Sequence, residues 1–337
     1  MSTYKELHGF RVEVVSSNPS NPKEGEVWYN STLGQLKGYV LGAGAFSSGG
    51  NMPESLSGNS GAGTQTTGLS MGGFTGTAYP GKAYEYDGSS WTAGNAEPNV
   101  KQAGAGCGVQ TAALFYGGGP GGPPGLSGNY EYDGTNWTAG GSLPVGVYQP
   151  GGFGVLTAAV SVGGDRDTPP TGARYPTASN EYNGTSWTAG GSCTQARSEG
   201  KGGGISQTAG LYMGGTGQPG SSVIGTTEEY DGTNFSTGGT MNTARRSFSS
   251  GCLGPSSNAL IAGGTTGSLQ SAAENYDGNT WTNFPSLATA RQSLGMFGNG
   301  LNSNSGAVCG GATPSKVNST EEFTGETTAV NVKTITT

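Results

Sequence analysis

The sequence predicts an all-β protein, a six-bladed β-propeller, with seven blades as the alternative. The first observation is a phrase, Tyr-Glu-Tyr-Asp-Gly-Thr-Asn-Trp at 130–137, that recurs to the end of the chain. The aromatic residue at the third position of this motif, called the mark aromatic below, is Tyr86, Tyr132, Tyr182, Tyr230, Tyr276 or Phe323. The spacings between these residues are 46, 50, 48, 46 and 47 residues. The second observation is a double glycine that closes a short apolar run six times, and the third is an Asp-Gly or Asn-Gly pair after five of the marks. Repeats of this length are typical of propellers, in which each blade is a four-stranded antiparallel sheet.

Each repeat is predicted to contain four strands in a fixed order. A Gly-rich strand, as at 106–111, precedes an apolar strand that ends at a double glycine, as at 114–118. Glycine allows the positive φ and close backbone approach needed where the chain leaves that strand. The third strand carries the Tyr and the fourth begins at the Trp. The Asp-Gly turn between them is a strong hairpin signal, so these two strands are expected to pair.

Residues 1–40 differ from the repeats and are predicted to form an N-terminal attachment arm with a β-hairpin, while 41–337 form the propeller. The Asn-Pro-Ser-Asn-Pro run at 18–22 breaks regular structure. Residues 25–40 then contain two apolar stretches separated by turn residues at 30–34, which predicts the hairpin.

Closure of the ring is predicted from the register of the repeats. Residues 45–52 match 234–241, and Phe46 precedes Trp91 by 45 residues, whereas no Trp follows Phe323. Six complete repeats are obtained only if the N-terminal strand completes the C-terminal blade, which removes an exposed sheet edge. The tail at 329–336 also alternates like a strand and is the alternative source of that outer strand.

Composition excludes several classes of protein. Gly accounts for 67 and Pro for 17 of the 337 residues, which without a period would indicate disorder. Charged residues make up 11%, the net charge is −7, and the basic residues are scattered, so nucleic acid is not an expected partner. No apolar run is long enough for a transmembrane helix, and the first eight residues lack the apolar core of a secretory signal.

The repeats resemble kelch repeats, which combine an apolar strand ending in a diglycine, a later Tyr, and a Trp five residues beyond it. The resemblance covers residues 44–325, and it includes an Arg ten residues after the aromatic at Arg197, Arg245 and Arg291. Lys101 and Val147 stand at that offset in the first two repeats. The hairpin at 25–40 resembles a short segment of structural proteins of tailed bacteriophages. The two resemblances imply a propeller carried by a virion protein.

The residues offer little for catalysis. Copper-radical chemistry of the galactose oxidase type, zinc hydrolysis and a Ser-His-Asp triad all need histidine, and the one histidine is His8, outside the repeats. The glutamate recurs at one position in five repeats and the turn aspartate in four, which indicates a structural role rather than one active site. Four cysteines lack metal-ligand spacing and are expected to be buried: Cys107, Cys193, Cys252 and Cys309. We therefore expect no enzyme activity, cofactor or metal.

Recognition is expected where the repeats differ, because loops tolerate insertion and carry binding residues. The interval between diglycine and aromatic is longest, at 18 residues, in the third repeat. The candidate recognition residues are Asp165, Arg166, Asp167, Arg174 and Tyr175 in that loop, with Leu126 and Gln218 in the neighbouring loops. The candidate residues for attachment to the virion are Trp28, Tyr29, Leu36 and Tyr39.

The function predicted from the sequence is that of a non-enzymatic phage virion protein, made in the host cytoplasm. It would act in a tail, fibre or baseplate as an adaptor or receptor binder. One alternative is a capsid decoration or head fibre, and another is a polysaccharide-binding or polysaccharide-degrading propeller. The expected partners are other virion proteins, reached through the arm, and a glycan or protein of the host surface. A homo-oligomer is expected, with no membrane insertion.

Overall fold

The structure, a computed structural model, describes residues 12–20, 25–39, 44–166, 174–218, 222–249, 254–298, 304–325 and the backbone of 332–334. All the regular secondary structure in these residues consists of β-strands. The chain divides into two compact units, one of Met1–Gly44 with Gly325–Thr337 and one of Ala45–Thr324. The sequence pattern assigns the C-terminal tail to the repeats, whereas this division groups it with the N-terminal segment.

The strands follow one another in chain order. The first four are β1 (Glu13–Val15), β2 (Val27–Asn30), β3 (Gln35–Tyr39) and β4 (Ala45–Ser48). The repeats marked by Tyr86 and Tyr132 contain β5 (Ser60–Thr64), β6 (Thr67–Met71), β7 (Lys82–Tyr86), β8 (Trp91–Ala96), β9 (Ala105–Val109), β10 (Ala112–Tyr116), β11 (Asn129–Tyr132) and β12 (Trp137–Ala139). The repeats marked by Tyr182 and Tyr230 contain β13 (Gly151–Val155), β14 (Ala158–Val162), β15 (Ser179–Tyr182), β16 (Trp187–Ala189), β17 (Arg197–Ser198), β18 (Lys201–Ser206), β19 (Ala209–Met213), β20 (Thr216–Gly217), β21 (Ser222–Val223), β22 (Thr227–Tyr230) and β23 (Phe235–Thr237). The last strands are β24 (Ala259–Ala262), β25 (Ala273–Tyr276), β26 (Trp281–Phe284), β27 (Gly295–Gly298), β28 (Ser305–Cys309), β29 (Thr320–Thr324) and β30 (Val332–Thr334).

The first unit contains a four-stranded sheet in the order β1-β2-β3-β30. Strands β2 and β3 form the hairpin expected within 25–40, with Val27 opposite Gly38 and Asn30 opposite Gln35. Strand β1 lies parallel to β2, and β30 lies antiparallel to β3.

The second unit is a series of small antiparallel sheets. This agrees with the predicted all-β, propeller-like class. Their orders are β5-β6-β7-β8, β12-β11-β10-β9, β13-β14-β15-β16, β18-β19-β22-β23, β24-β25-β26 and β27-β28-β29-β4. We number the corresponding repeats 1 to 6. A small sheet, β17-β20-β21, joins the loop between repeats 3 and 4 to the segment between the second and third strands of repeat 4.

The turn chemistry matches the sequence pattern. Each double glycine directly follows the second strand of its repeat, and both of its residues have positive φ, as at Gly117 (65°) and Gly118 (76°). In the hairpin that follows, the Asp133 carboxylate accepts the backbone N–H groups of Thr135 and Asn136 at 2.8 and 2.6 Å. These contacts also lower the pKa of the Asp133 carboxyl. The predicted role of the repeated Asp as a turn residue is confirmed for this hairpin and its equivalents.

The mark aromatic and the aromatic of the fourth strand form one contact in each repeat. Tyr132 lies opposite Trp137 in the strand register, with ring centroids 4.8 Å apart. The other five pairs have centroid distances between 4.5 and 5.0 Å. The mark aromatic is a tyrosine in five of these six pairs, and it is buried in all six. The apolar core therefore runs through the repeats at the positions that define the repeat.

The first strands of neighbouring repeats approach each other backbone to backbone. A Cβ on Gly202 would lie 2.2 Å from the carbonyl oxygen of Gly152, and one on Gly61 would lie 2.1 Å from that of Met296. The Gly-rich character of these strands thus has a steric cause: only a residue without Cβ fits at these contacts.

Strand β4 is the outer neighbour of β29. The two pair antiparallel, and Phe46 lies opposite Phe323 with ring centroids 5.0 Å apart. The described part of the tail, β30, pairs with β3 instead.

Candidate functional site

Tyrosine hydroxyls link successive repeats. Tyr182 donates to Glu131 at 2.5 Å and Tyr276 donates to Glu229 at 2.6 Å, so the tyrosine of one repeat reaches the glutamate of the repeat before it. Three further links of this kind are Tyr132 to Glu85, Tyr230 to Glu181 and Tyr86 to Glu322. Burial and the adjacent carboxylate raise the pKa of Tyr276 to about 12.

The junction between repeats 5 and 6 lacks both the tyrosine and the glutamate of this link. Repeat 6 has Phe323 in place of the tyrosine, and repeat 5 has Asn275 in place of the glutamate. The Oδ1 atom of Asn275 is buried and accepts no hydrogen bond in the described structure. The donor and the acceptor are therefore absent together at the same junction.

Arginine side chains tie the loops between repeats to the third strands. Arg245 and Glu274 form an ion pair of 2.6 Å in which the side chains are 0% and 1% exposed. Glu274 also accepts the N–H of Asn242 at 2.7 Å, and Arg245 donates to the carbonyl oxygen of Ala272 at 2.8 Å. Equivalent pairs are Arg197 with Glu228 and Arg291 with Glu321, each at 2.5 Å.

Repeats without the arginine also lack the glutamate. Lys101 stands at the arginine position for repeat 2, and its Nζ lies 4.9 Å from the ring centre of Tyr130, which stands at the glutamate position. For repeat 1 the two positions hold Leu56 and Tyr84, both buried in one cluster. An interaction between the arginine and the third strand was not anticipated from the sequence, but this matched variation was its signal.

A residue in the left-handed region precedes each described first strand, and another occupies the equivalent position in repeat 5. These residues are Gly58, Ala103, Gln149, Glu199, Ser247 and Ser293, with φ between 50° and 71°. Their backbones are linked in sequence: Ser293 donates to Ser247 at 2.6 Å, Gly58 donates to Ser293 at 2.7 Å, and Ala103 donates to Gly58 at 2.7 Å. Gln149 and Ser247 extend the series by donating to Ala103 and Glu199.

A polar cleft of about 480 Å³ opens beside the Gln149–Glu199 part of this series. It is lined by loops of two kinds, those after second strands and those between repeats. The lining residues are Gly121, Gly122, Pro123, Tyr148, Gln149, Asp165, Arg174, Tyr175, Ser198, Glu199, Thr216 and Arg246.

Two ion pairs determine the charge of the cleft. Arg174 holds the carboxylate of Asp165 through Nε at 3.1 Å and Nη2 at 2.9 Å. Arg246 contacts Glu199 at 2.7 Å, and the Glu199 carboxylate also accepts the Thr216 hydroxyl at 2.8 Å. The four charges therefore balance within the cleft.

The backbone beneath the cleft is held by reciprocal hydrogen bonds. Tyr148 and Asp165 exchange two backbone bonds of 2.8 and 2.7 Å, and the Tyr148 hydroxyl accepts the side-chain amide of Gln102 at 3.3 Å. Burial, with Tyr79 and Glu199 nearby, raises the pKa of Tyr148. Arg246 and Thr265 exchange two further backbone bonds.

The predicted recognition residues fall into three groups. Asp165, Arg174 and Tyr175 line the cleft together. Arg166, Leu126 and Gln218 do not line it: the N–H of Arg166 bonds to the carbonyl oxygen of Arg174, that of Leu126 to Gly118, and that of Gln218 to Ala196. Asp167 lies outside the described residues.

Sequence reasoning missed half of the cleft. Tyr148, Glu199 and Arg246 come from the loops between repeats, whereas the predicted recognition residues lie in the loops between diglycine and Tyr. The sequence did contain a signal for Glu199, at equivalent positions of the repeats. Glu199 is the one acidic residue among the six left-handed residues at 58, 103, 149, 199, 247 and 293.

The predicted attachment residues lie on the β2–β3 hairpin. Trp28 is 1% exposed and donates through Nε1 to Asn18 at 3.2 Å. Tyr39 is also buried, Leu36 is half-buried and Tyr29 is exposed. The hairpin thus offers Tyr29 to solvent, while Trp28 is fixed within the described structure.

Other groups singled out in the sequence are placed as follows. Cys107, Cys193 and Cys309 are buried free thiols, while Cys252 and His8 lie outside the described residues. The described residues contain no cluster of three His, Cys, Asp or Glu side chains suited to a metal. They also contain no helix whose length and apolar character would let it cross a membrane.

These features define a β-repeat protein with a polar cleft between its loops. No protein-family model matches the sequence, and no curated protein is significantly similar to it.

Proposed function

We propose that this chain is a non-enzymatic structural protein of a bacteriophage virion, with a closed six-bladed, kelch-like propeller that binds a partner through its loops. In this proposal the N-terminal segment attaches the protein to a tail, fibre or baseplate. The observation that carries the binding role is the polar cleft, where loops of several repeats bring Asp165, Arg174 and Tyr175 together with Glu199 and Arg246.

The contacts of the repeated phrase support a role outside catalysis. The glutamates at 85, 131, 181, 229 and 322 accept tyrosine hydroxyls of neighbouring repeats, and those at 228, 274 and 321 pair with buried arginines. These carboxylates are engaged in holding the repeats together, as their recurrence indicates. Recognition is then assigned to the loops, which differ between repeats.

Contacts between repeats 1 and 6 support a closed ring of six. Strand β4 completes the sheet of β29, Tyr86 donates to Glu322, and the backbone of Gly58 bonds to that of Ser293. Class averages of the purified protein in electron microscopy should show six blades around one axis. Seven blades, or an open arc, would refute this part of the proposal.

The virion assignment is supported by the hairpin at 25–39, which has the turn expected for the phage-like segment. The test is mass spectrometry of gradient-purified particles together with immunogold labelling of intact virions. Labelling at the tail supports the proposal, and labelling on the capsid favours the decoration or head-fibre alternative. Absence of the protein from purified particles rules out both.

A further inference from the structure

We propose that the cleft binds a neutral saccharide. The inference rests on the proposed binding function and names the chemistry of the ligand. It uses the size of the cleft, the balance of its charges, and the mixture of donors, acceptors and aromatic rings that face it.

The volume and lining favour a small polar ligand. A cavity of about 480 Å³ falls in the range of roughly 300–1,000 Å³ typical of small-molecule sites. Apart from Pro123 and two tyrosine rings, its side chains are polar or charged. A lipid or other apolar ligand would displace water from the remaining donors and acceptors of these groups without replacing its hydrogen bonds, at a cost for each polar group buried in this way.

The charge balance argues against an anionic ligand. A phosphate or carboxylate site presents guanidinium groups to the ligand, often in bidentate geometry. Here Arg174 already holds Asp165, and Arg246 already holds Glu199. An entering anion would meet a carboxylate beside each arginine, and like charges repel.

A sugar hydroxyl suits this arrangement because it donates and accepts at the same time. Glu199 and Asp165 accept, Arg246 and the amide of Gln149 donate, and Thr216, whose hydroxyl proton goes to Glu199, accepts. The ion pairs and the reciprocal backbone bonds keep these groups in place before a ligand arrives, which lowers the entropic cost of binding. Tyr148 and Tyr175 supply rings against which the apolar face of a sugar packs.

The test is binding of defined probes to the full chain, measured by saturation-transfer NMR and calorimetry. The probes are neutral di- and trisaccharides of glucose, galactose, N-acetylglucosamine and rhamnose. Glucuronic acid-terminated oligosaccharides and a poly-glutamate peptide serve as anionic comparisons. We expect at least one neutral saccharide to bind and the anionic probes to bind more weakly.

Two variants locate the site. Arg246→Met removes a charged donor and should weaken binding about tenfold or more. Tyr175→Ala removes a ring from a loop position and should also weaken binding, and it provides the answer if Arg246→Met does not fold. Lys82→Met is the matched control, because it breaks an exposed ion pair with Glu54 of 3.7 Å away from the cleft lining. That control should bind as the unmodified protein does.

Three results would overturn the inference: no neutral probe binds at about 10 mM, the anionic probes bind more tightly, or both cleft variants bind normally. None of these bears on whether the protein is present in virions. Conversely, its absence from virions would leave a measured saccharide affinity intact. The two proposals therefore fail separately.

Discussion

Removing one partner of the buried Arg245–Glu274 pair should strongly destabilise the repeat unit. The substitution Arg245→Leu leaves the Glu274 carboxylate 1% exposed and without its counter-charge. Breaking a buried ion pair in this way typically costs about 3–5 kcal/mol. Glu274 keeps the N–H donors of Asn242 and Thr243, at 2.7 and 3.2 Å, so we expect the lower end, about 3 kcal/mol.

The chain supplies its own compensating change. Repeat 1 holds Leu56 and Tyr84 at the two equivalent positions, both buried. Adding Glu274→Tyr to Arg245→Leu transfers that arrangement to repeat 5 and removes the isolated charge. Replacing a whole buried pair by well-packed residues of similar volume is often neutral, so the double variant should recover about 2 kcal/mol or more of the loss.

The assay is equilibrium urea unfolding of the unmodified chain, both single variants and the double variant, followed by tryptophan fluorescence. The four free energies of unfolding form a double-mutant cycle. If Arg245→Leu alone costs less than about 1 kcal/mol, or the double variant is as unstable as the single ones, the electrostatic account of this pair is wrong.

Three further predictions concern the packing and burial of residues in the repeats. The pair of changes Asn275→Glu and Phe323→Tyr should install the missing link and raise the free energy of unfolding by about 0.5–1.5 kcal/mol, whereas either change alone should not; equal stabilisation by Phe323→Tyr alone would contradict this. Burial lowers the pKa of Lys201 to about 8 in the folded protein, so its charge destabilises the fold fully below pH 8, and this penalty disappears as the pH rises towards the unfolded pKa near 10.5. Lys201→Met should therefore stabilise the protein by about 3 kcal/mol at pH 7 and by much less at pH 10 in urea unfolding, and a pH-independent difference would refute the assigned cause. Gly202→Ala should lower the melting temperature far more than Gly203→Ala, because its Cβ meets backbone at 2.2 Å while that of Gly203 meets only the flexible end of Met213 at 3.1 Å; similar melting temperatures would be inconsistent with close backbone packing.

The local structure of the repeats could be predicted because its causes are local. A Gly-Gly pair after an apolar run, an Asp-Gly turn and a Tyr–Trp pair across a hairpin each specify their geometry within a few residues. The turn at Asp133 and the positive φ of Gly117 follow directly from residue type. The all-β class was predictable for the same reason.

Contacts between repeats were harder to predict because their partners lie far apart in the chain. The arginines at 197, 245 and 291 were visible as a pattern, but not their partners, which lie about 30 residues later. Only a comparison of two positions across all repeats reveals that they change together. The same limit applied to the cleft: Asp165, Arg174 and Tyr175 stood out as an insertion, whereas Glu199 and Arg246 occupy loops of ordinary length.

The tyrosine-to-glutamate links affect how this chain can vary. A repeat that carries both the tyrosine and the glutamate can follow any repeat that carries the glutamate. Exchange of segments among repeats 1 to 4 would therefore preserve every tyrosine-to-glutamate link. Repeats 5 and 6 differ, because separating Asn275 from Phe323 would leave a hydroxyl or a carboxylate without its mate. Exchange among the first four repeats would thus keep the tyrosine-to-glutamate links, whereas the last two repeats keep their matched Asn275 and Phe323 only if they move together.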